Sequence, residues 1–196
     1  MPLIITPQTP RQGQLEPISW VDLSTIISTS ALHLLGRSNT AQTVYLSHSE
    51  DILAIWASPA DFLLHTKFGL KIDAPPSRAQ DPSLDPSRIT TKQTVTTPLS
   101  FHTLKLLPND FPYHFENGVR HYCLWKIGGE EGITAEEIED AEAELRDIVL
   151  NEEQSPNIDV VETCNFLNPD ALKSISAIEH VHILAKPYFA KPKGSS

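Results

Sequence analysis

The chain has 196 residues, 40% of them hydrophobic, and a formal net charge of −10, which suits one domain with a hydrophobic core. Eleven acidic residues and one basic residue lie between 130 and 153 and the rest of the chain is electrically neutral, so the acidity predicts one solvated helix face. No apolar run reaches the roughly 20 residues that a membrane-spanning helix needs, and the neutral remainder offers no wide basic surface for nonspecific nucleic-acid binding.

The N-terminus and the cysteine content predict a cytoplasmic protein. Residues 1–13 contain no basic segment followed by a long apolar run, which argues against a signal peptide. Cys123 and Cys164 are too few for a disulfide framework in a chain of this size, so reduced thiols are expected. We therefore expect a cytoplasmic location and no association with membranes.

The first 70 residues predict a cluster of helices. One helix follows Ser19, a good N-terminal cap, and Gly36 is placed to end it. A second helical region covers about 40–57, with a break expected near Ser49, and Ser58 caps a third helix.

Strand-like segments dominate the second half of the chain. Apolar alternation favours strands over 99–107, 119–127, 158–164 and 180–185, and a capped acidic helix is expected over 135–150. The fold class that follows is α+β: an N-terminal helical cluster followed by a small antiparallel sheet of three or four strands, with helices packed on one face.

Proline-rich and polar segments set the predicted domain boundaries. Residues 1–16 hold three prolines and are predicted to form a mobile arm. A single domain is expected over 17–186, and the proline-rich stretch 73–98 within it reads as a loop or insertion. Residues 187–196 are expected to form a tail.

Two of the predicted strands carry most of the chemically useful side chains. In a strand, residues two apart point to the same face, so His121, Cys123 and Trp125 share one face of the first. His180 and His182 likewise share one face of the second. Convergence of these groups on a common hollow is the main functional hypothesis.

A metal site is one interpretation of this convergence. Imidazole and thiolate donors from His121, Cys123, His180 and His182 suit zinc and related ions. However, H-x-C and H-x-H pairs on strands lack the C-x₂-C loops typical of structural zinc sites. No metal and no other cofactor is predicted, since phosphate-binding and dinucleotide-binding glycine motifs are also absent from the sequence.

General acid and base catalysis is a second interpretation. His121 and His182 each lie inside an apolar strand, and Asp110 or Glu116 would orient one of the rings. A buried histidine bonded to a backbone carbonyl explains the same residues without catalysis, and the two readings stay open. Cys123 is disfavoured as a nucleophile, because strand geometry places its neighbour His121 about 6 to 7 Å away.

Several further residues are predicted to contact a substrate. Arg37 follows a helix end, where a guanidinium can hold a carboxylate or a phosphate, although a surface ion pair explains it equally. Tyr113 and Trp125 could wall an aromatic pocket, although such residues are more often plain core. The predicted substrate-binding set is Arg37, Ser38, Tyr45, Asn109, Tyr113, Trp125, Asn168 and His180.

Motifs along residues 17–186 resemble a known family. These motifs are LGRS at 35–38, LPNDFPY at 107–113, LNP at 167–169 and HVHIL at 180–184. They are similar to the fungal domain-of-unknown-function family that includes N-acetylglucosamine-induced protein 1. The resemblance implies a small intracellular fungal protein and implies no agreed activity.

A weaker resemblance is to arginine-containing cyclodipeptide synthases, which join two aminoacyl groups delivered by transfer RNA. It implies that His121 or His182 serves as the base and that Asp110 or Glu116 holds a guanidinium. Groups that would meet RNA phosphates are Arg37, Lys67, Lys71 and Arg120.

Two functions are therefore expected, from different classes. The leading one is an enzyme that acts on small molecules in a histidine-lined pocket between the helical half and the sheet. Its predicted catalytic residues are His121, His182 and Asp110. The predicted reaction forms amide bonds from aminoacyl-transfer RNA. The alternative is a non-enzymatic regulator or metabolite-binding protein of the N-acetylglucosamine response. In that reading the acidic helix 134–150 contacts a protein partner.

Overall fold

A computed structural model describes residues 13–73, 92–129, 131–153 and 158–189. The described residues form two compact units. Unit 1 contains the residues up to Gln42 and those from Thr103 onward, and unit 2 contains Thr43–His102. Residues 1–12 of the predicted arm, 74–91 of the predicted insertion and 190–196 of the predicted tail lie outside the described residues.

The first helix of unit 1, α1 (Trp20–Ser28), is shorter than the sequence predicts. Ser19 caps it as expected, with its side chain accepting a hydrogen bond from the Asp22 amide. The helix ends well before Gly36, because Ser30 adopts a left-handed conformation with φ of 57° and its amide donates to Ile27. A short 3₁₀ turn (Leu32–Leu34) follows.

Unit 2 contains most of α2 (Asn39–Ile55) and all of α3 (Pro59–Thr66). The break expected near Ser49 is absent, since the Ser49 hydroxyl bonds the Tyr45 carbonyl one turn earlier and the helix continues. Ser58 caps α3 and Asp61 completes its first turn, as predicted.

The sheet in unit 1 has four antiparallel strands in the order β1-β2-β4-β3. Their bounds are β1 Thr103–Pro108, β2 Arg120–Ile127, β3 Ile158–Phe166 and β4 Glu179–Phe189. The α+β class is thereby confirmed. β4 extends three residues into the predicted tail, and its pairing with β3 reaches Phe189.

The helix α4 (Ala135–Glu153) packs against one face of this sheet. It begins with a reciprocal capping box, in which the Thr134 hydroxyl accepts from the Glu137 amide and the Glu137 carboxylate accepts from the Thr134 amide. Its inner side joins a core in which Leu145 and Ile183 are fully buried.

The opposite face of the sheet contacts other helical residues. Trp20 and Leu23 from α1 pack with Phe166 from β3 and Leu184 from β4. Within unit 1, α4 therefore packs on one face of the sheet and α1 contacts the other. None of the described helices is long and apolar enough to cross a membrane.

Candidate functional site

The strand register gathers the predicted histidines on the face opposite α4. Across the β2–β4 pair, Cys123 lies directly opposite His182 and Trp125 opposite His180. His121 lies two residues before Cys123 on β2, so its side chain shares this face. Both strands are central in the sheet, which accounts for the deep burial of these polar side chains.

A hydrogen-bonded network links the two central histidines to the loop after β3. His121 Nε2 lies 2.8 Å from His182 Nδ1, and the other ring nitrogen of His182 lies 2.8 Å from Asn168 Nδ2. The Asn168 amide also donates to the Tyr113 hydroxyl at 3.0 Å. His121, His182 and Asn168 are only 6%, 5% and 2% exposed, so four of the predicted site residues meet inside the protein.

The NDFPY turn wraps around His121. The Asn109 amide oxygen accepts from the Phe111 backbone N–H at 3.0 Å, an Asx-type contact that the motif predicts. This fixes the other end of the same amide, Nδ2, at 3.2 Å from His121 Nε2. The Tyr113 backbone N–H donates a hydrogen bond to the Nδ1 of the same ring at 3.3 Å. The turn is therefore the element that orients the His121 ring.

Aromatic rings enclose the network. The Phe166 ring stacks on His182 with centroids 4.7 Å apart, and the Tyr113 ring stacks on the same imidazole at 5.6 Å. Phe115 meets His121 edge-on at 5.4 Å. Neither Phe115 nor Phe166 is among the site residues predicted from the sequence. Phe166 immediately precedes the LNP motif that carries Asn168, and this position next to a predicted site residue is the sequence feature that could have identified it.

His180 stands apart from the network. Its Nδ1 lies 3.0 Å from the Ile178 carbonyl oxygen, and its ring stacks on Trp125 with centroids 4.3 Å apart. Burial lowers the pKa of His180, and the Ile178 carbonyl partly opposes this shift. This is the arrangement of a histidine bonded to a backbone carbonyl, which the sequence analysis left open.

Burial governs the protonation of the two central groups. It lowers the pKa of His121 to about 3, and the positive charge of Arg37 acts in the same direction, so the ring is uncharged at neutral pH. Burial raises the pKa of Cys123 to about 12, with the Asp110 carboxylate adding to the shift and Arg37 opposing it. Cys123 is therefore a thiol at neutral pH and a poor nucleophile.

The partner of Cys123 lies across the strands. Its sulfur is 3.4 Å from His182 Nδ1, whereas the sequence pattern indicates only His121, on the same strand, as a neighbour. The ligand atoms of His121, Cys123 and His182 all lie within 4.8 Å of one another, and all three residues are buried. Three of the four donors of the metal interpretation thus come together, without His180.

The remaining predicted residues lie at the edge of the network or away from it. The Arg37 side chain donates from Nε to the Phe111 carbonyl at 3.1 Å, and its guanidinium lies 5.7 Å from the Tyr113 ring centroid. Asp110 is exposed in the NDFPY turn. Ser38 caps α2 by accepting from the Ala41 amide.

Two predicted groups lie elsewhere. Glu116, a candidate for orienting a histidine, instead accepts hydrogen bonds from the Trp20 amide and from Lys186. Lys186 is the main reason that the pKa of Glu116 is lowered. Tyr45 belongs to unit 2, so the network in unit 1 is described without it.

Comparisons with known proteins place the motifs in context. The model of a family described as "protein of unknown function (DUF3605)" matches residues 19–186. The chain is 25% identical over 191 residues to N-acetylglucosamine-induced protein 1 of Candida albicans, a match that covers 93% of this chain and 73% of that protein. The crystal structure of a protein named HTC1 is similar with a TM-score of 0.48 and 22% identity, over 91% of this chain and 89% of that one.

Proposed function

The chain belongs to the DUF3605 family of proteins of unknown function, and for this member we propose an enzyme that acts on a small polar molecule at the His121–His182 pair. The observation that carries the proposal is the 2.8 Å contact between these two buried imidazoles. Burying polar groups costs free energy that an apolar core would not require. Such clusters are therefore characteristic of functional sites.

The roles within the pair differ. With a pKa lowered to about 3, His121 is a weak base, so we assign it the task of orienting its partner. His182 bonds both His121 and the Asn168 amide, and we assign proton transfer to it. Asp110 is exposed at the edge of the network, where its carboxylate is free of deep burial and suits a cationic substrate group.

The specific reaction we propose is amide bond formation from two activated amino acids. The amine of one aminoacyl group attacks the ester carbonyl of the other, a C–N bond forms, the ester C–O bond breaks, and the released transfer RNA hydroxyl takes up the proton that the amine loses. A second attack of the same kind closes the ring. A substrate carrying a guanidinium would meet the Asp110 carboxylate, which is exposed beside the network.

Charge supports the transfer RNA part of this proposal least. Of the bases expected to meet phosphate, Arg120 pairs with Glu152 at 3.5 Å, and Lys67 and Lys71 belong to unit 2. Arg37 contacts the turn that orients His121 through the Phe111 carbonyl. In this proposal the network recognises the amino acid, and few contacts recognise the RNA. Arginyl-transfer RNA is therefore the substrate to test first, because it carries the guanidinium group that the site is proposed to bind.

The test compares product formation by matched histidine variants. Purified protein is incubated with arginyl-transfer RNA and a mixture of aminoacyl-transfer RNAs, and products are analysed by mass spectrometry. His121→Ala and His182→Asn should abolish any cyclodipeptide, whereas His33→Ala, at an exposed position, should not. Circular dichroism checks that each variant folds. Product profiles identical for wild type and His121→Ala would refute the reaction.

A second candidate is a non-enzymatic regulator that binds a protein through α4. Acidic side chains that stay exposed on this helix favour it: Glu136, Glu139, Asp140, Glu144 and Asp147. Others are engaged within the chain, as Glu137 is by Lys126. Because the Candida albicans relative is named for its induction by N-acetylglucosamine, we place this candidate role in the response to that sugar.

The test of this candidate reverses the charge of the exposed face. A Glu136→Lys, Glu139→Lys, Glu144→Lys variant should lose partners that wild type retains in affinity capture from cells grown on N-acetylglucosamine. His182→Asn, which leaves α4 intact, is the matched control. If the charge-reversed variant retains every partner, the candidate is wrong.

A further inference from the structure

We propose that His121 Nε2, His182 Nδ1 and Cys123 Sγ form a binding site for a zinc-type divalent cation with an open fourth position. The three atoms lie within 4.8 Å of one another and their residues are buried. Two imidazoles and one thiolate are a donor set that suits zinc and excludes magnesium or calcium, which take oxygen ligands. The inference does not depend on the amide-forming reaction.

The NDFPY turn fixes the protonation of the His121 ring. The Phe111 backbone N–H can only donate, so it holds the Asn109 amide with its oxygen toward the backbone and its NH₂ group 3.2 Å from His121 Nε2. The Tyr113 backbone N–H donates to Nδ1 of the same ring, so Nε2 carries the ring proton in the metal-free protein. A metal ion at Nε2 would move that proton to Nδ1.

Asn168 supplies the equivalent support for His182. Its side chain lies 2.8 Å from Nε2 of that ring, and its own oxygen is buried without a hydrogen-bond partner among the described residues. With the amide turned over, the oxygen accepts from both Nε2–H and the Tyr113 hydroxyl. His182 then carries its proton at Nε2 and presents a lone pair at Nδ1. Metal-bound histidines commonly donate their second nitrogen to such a carbonyl.

In the metal-free protein the 2.8 Å contact is a hydrogen bond between two neutral imidazoles, from His121 Nε2–H to His182 Nδ1. The Cys123 sulfur, 3.4 Å from the same His182 nitrogen, adds the third donor that a metal ion needs when it replaces this hydrogen bond. Tetrahedral zinc would set the nitrogens about 3.3 Å apart and nitrogen and sulfur about 3.6 Å apart. The two nitrogens therefore have to move apart by about half an ångström.

Metal binding changes two bonds in the network. The ion replaces the thiol proton of Cys123, which is released to solvent as the sulfur–metal bond forms. It also moves the ring proton of His121 from Nε2 to Nδ1, so the hydrogen bond that the Tyr113 amide donates to Nδ1 is lost. His180 is not the fourth ligand, because its ring is stacked on Trp125 and bonded to Ile178.

Cobalt titration of the full chain tests the site without any substrate. Protein freed of metal with a chelator is titrated with Co²⁺, whose bond to a thiolate gives charge-transfer absorption in the near ultraviolet. We expect about one equivalent to bind, following the three-ligand catalytic pattern. Cys123→Ser should abolish the charge-transfer band, and Cys164→Ser should leave it unchanged.

A variant without the Asn168 side chain distinguishes a built metal site from nonspecific metal binding. Asn168→Ala should weaken Zn²⁺ binding about 10- to 100-fold by competition with an indicator, as loss of such supporting groups does elsewhere. Circular dichroism confirms folding of each variant, and Cys123→Ser conserves the side-chain shape. Binding of less than about a tenth of an equivalent by wild type would overturn the proposal, as would a band that Cys123→Ser retains. Product formation by metal-free protein would show that the proposed reaction does not require the metal ion.

Discussion

The two faces of the sheet in unit 1 bury different kinds of side chain. Toward α4 the sheet presents Ile183, Leu124 and other apolar side chains, which pack against Leu145 and Val149. Toward the NDFPY turn it presents His121 and His182, which are almost as deeply buried. The first face stabilises the fold through buried apolar area, whereas the second keeps polar groups inside at a cost.

The largest effect we expect comes from the apolar face. Leu145→Ala removes a fully buried side chain from the α4 core and should lower the free energy of unfolding by about 4 kcal/mol. Urea denaturation measures it. The exposed Leu150, on the same helix, provides the control, since Leu150→Ala should cost much less. Comparable losses for both variants would show that α4 does not pack as described.

A smaller effect is expected on the polar face. Asn168→Ala leaves the Tyr113 hydroxyl and one nitrogen of His182 without the bonds that Asn168 makes, so the free energy of unfolding should fall by about 2 kcal/mol. Denaturation of the metal-free protein measures this change. Unlike Leu145→Ala, the substitution should also alter the NMR signals of the His182 ring. A loss as large as that of Leu145→Ala would remove the contrast between the faces.

The cap of α4 should matter less again. Thr134→Ala removes half of the reciprocal capping box and should cost about 1 kcal/mol of stability, measured by thermal unfolding. Thr134→Ser retains the hydroxyl and is the matched control. Unchanged histidine signals in both variants would confirm that the helix start affects only its own face of the sheet.

The smallest effect is a pH dependence of the Glu116–Lys186 pair. The pKa of Glu116 is lowered chiefly by Lys186, with the Trp20 amide also contributing. A carboxyl whose folded pKa is depressed adds stability above its unfolded pKa, and that stability is lost as pH falls through the folded value. Wild type should therefore exceed Glu116→Gln by about 0.5 kcal/mol at pH 7. Thermal unfolding followed down to pH 3 should show this advantage shrinking; an advantage that grows instead would contradict the assignment.

Local rules predicted the elements and the shared faces of the strands. Ser19, Ser58 and Thr134 cap helices as the sequence indicates, because capping depends on residues within one turn. Alternation alone placed His121 with Cys123. The predicted end of α1 at Gly36 was wrong, because Ser30 adopts a left-handed conformation and the helix ends before it.

Contacts between distant segments could not be predicted in the same way. The pairing of Cys123 with His182 depends on the register of two strands separated by about sixty residues, and a slip of one residue would send every side chain to the other face. The engagement of Glu116 by Lys186 likewise joins residues far apart in sequence. Sequence alone therefore identified candidates for the site but not their partners.

The order of the strands has a consequence for which part of the network opens first. β2 and β4 lie in the middle of the sheet, so their amides should exchange with deuterium only when the whole unit unfolds. Asn109 and Asn168 instead lie on connecting segments, which open locally at much lower free energy. We therefore expect the strand half of the network to be the more rigid one, and hydrogen exchange should detect opening first in the segments that carry the two asparagines.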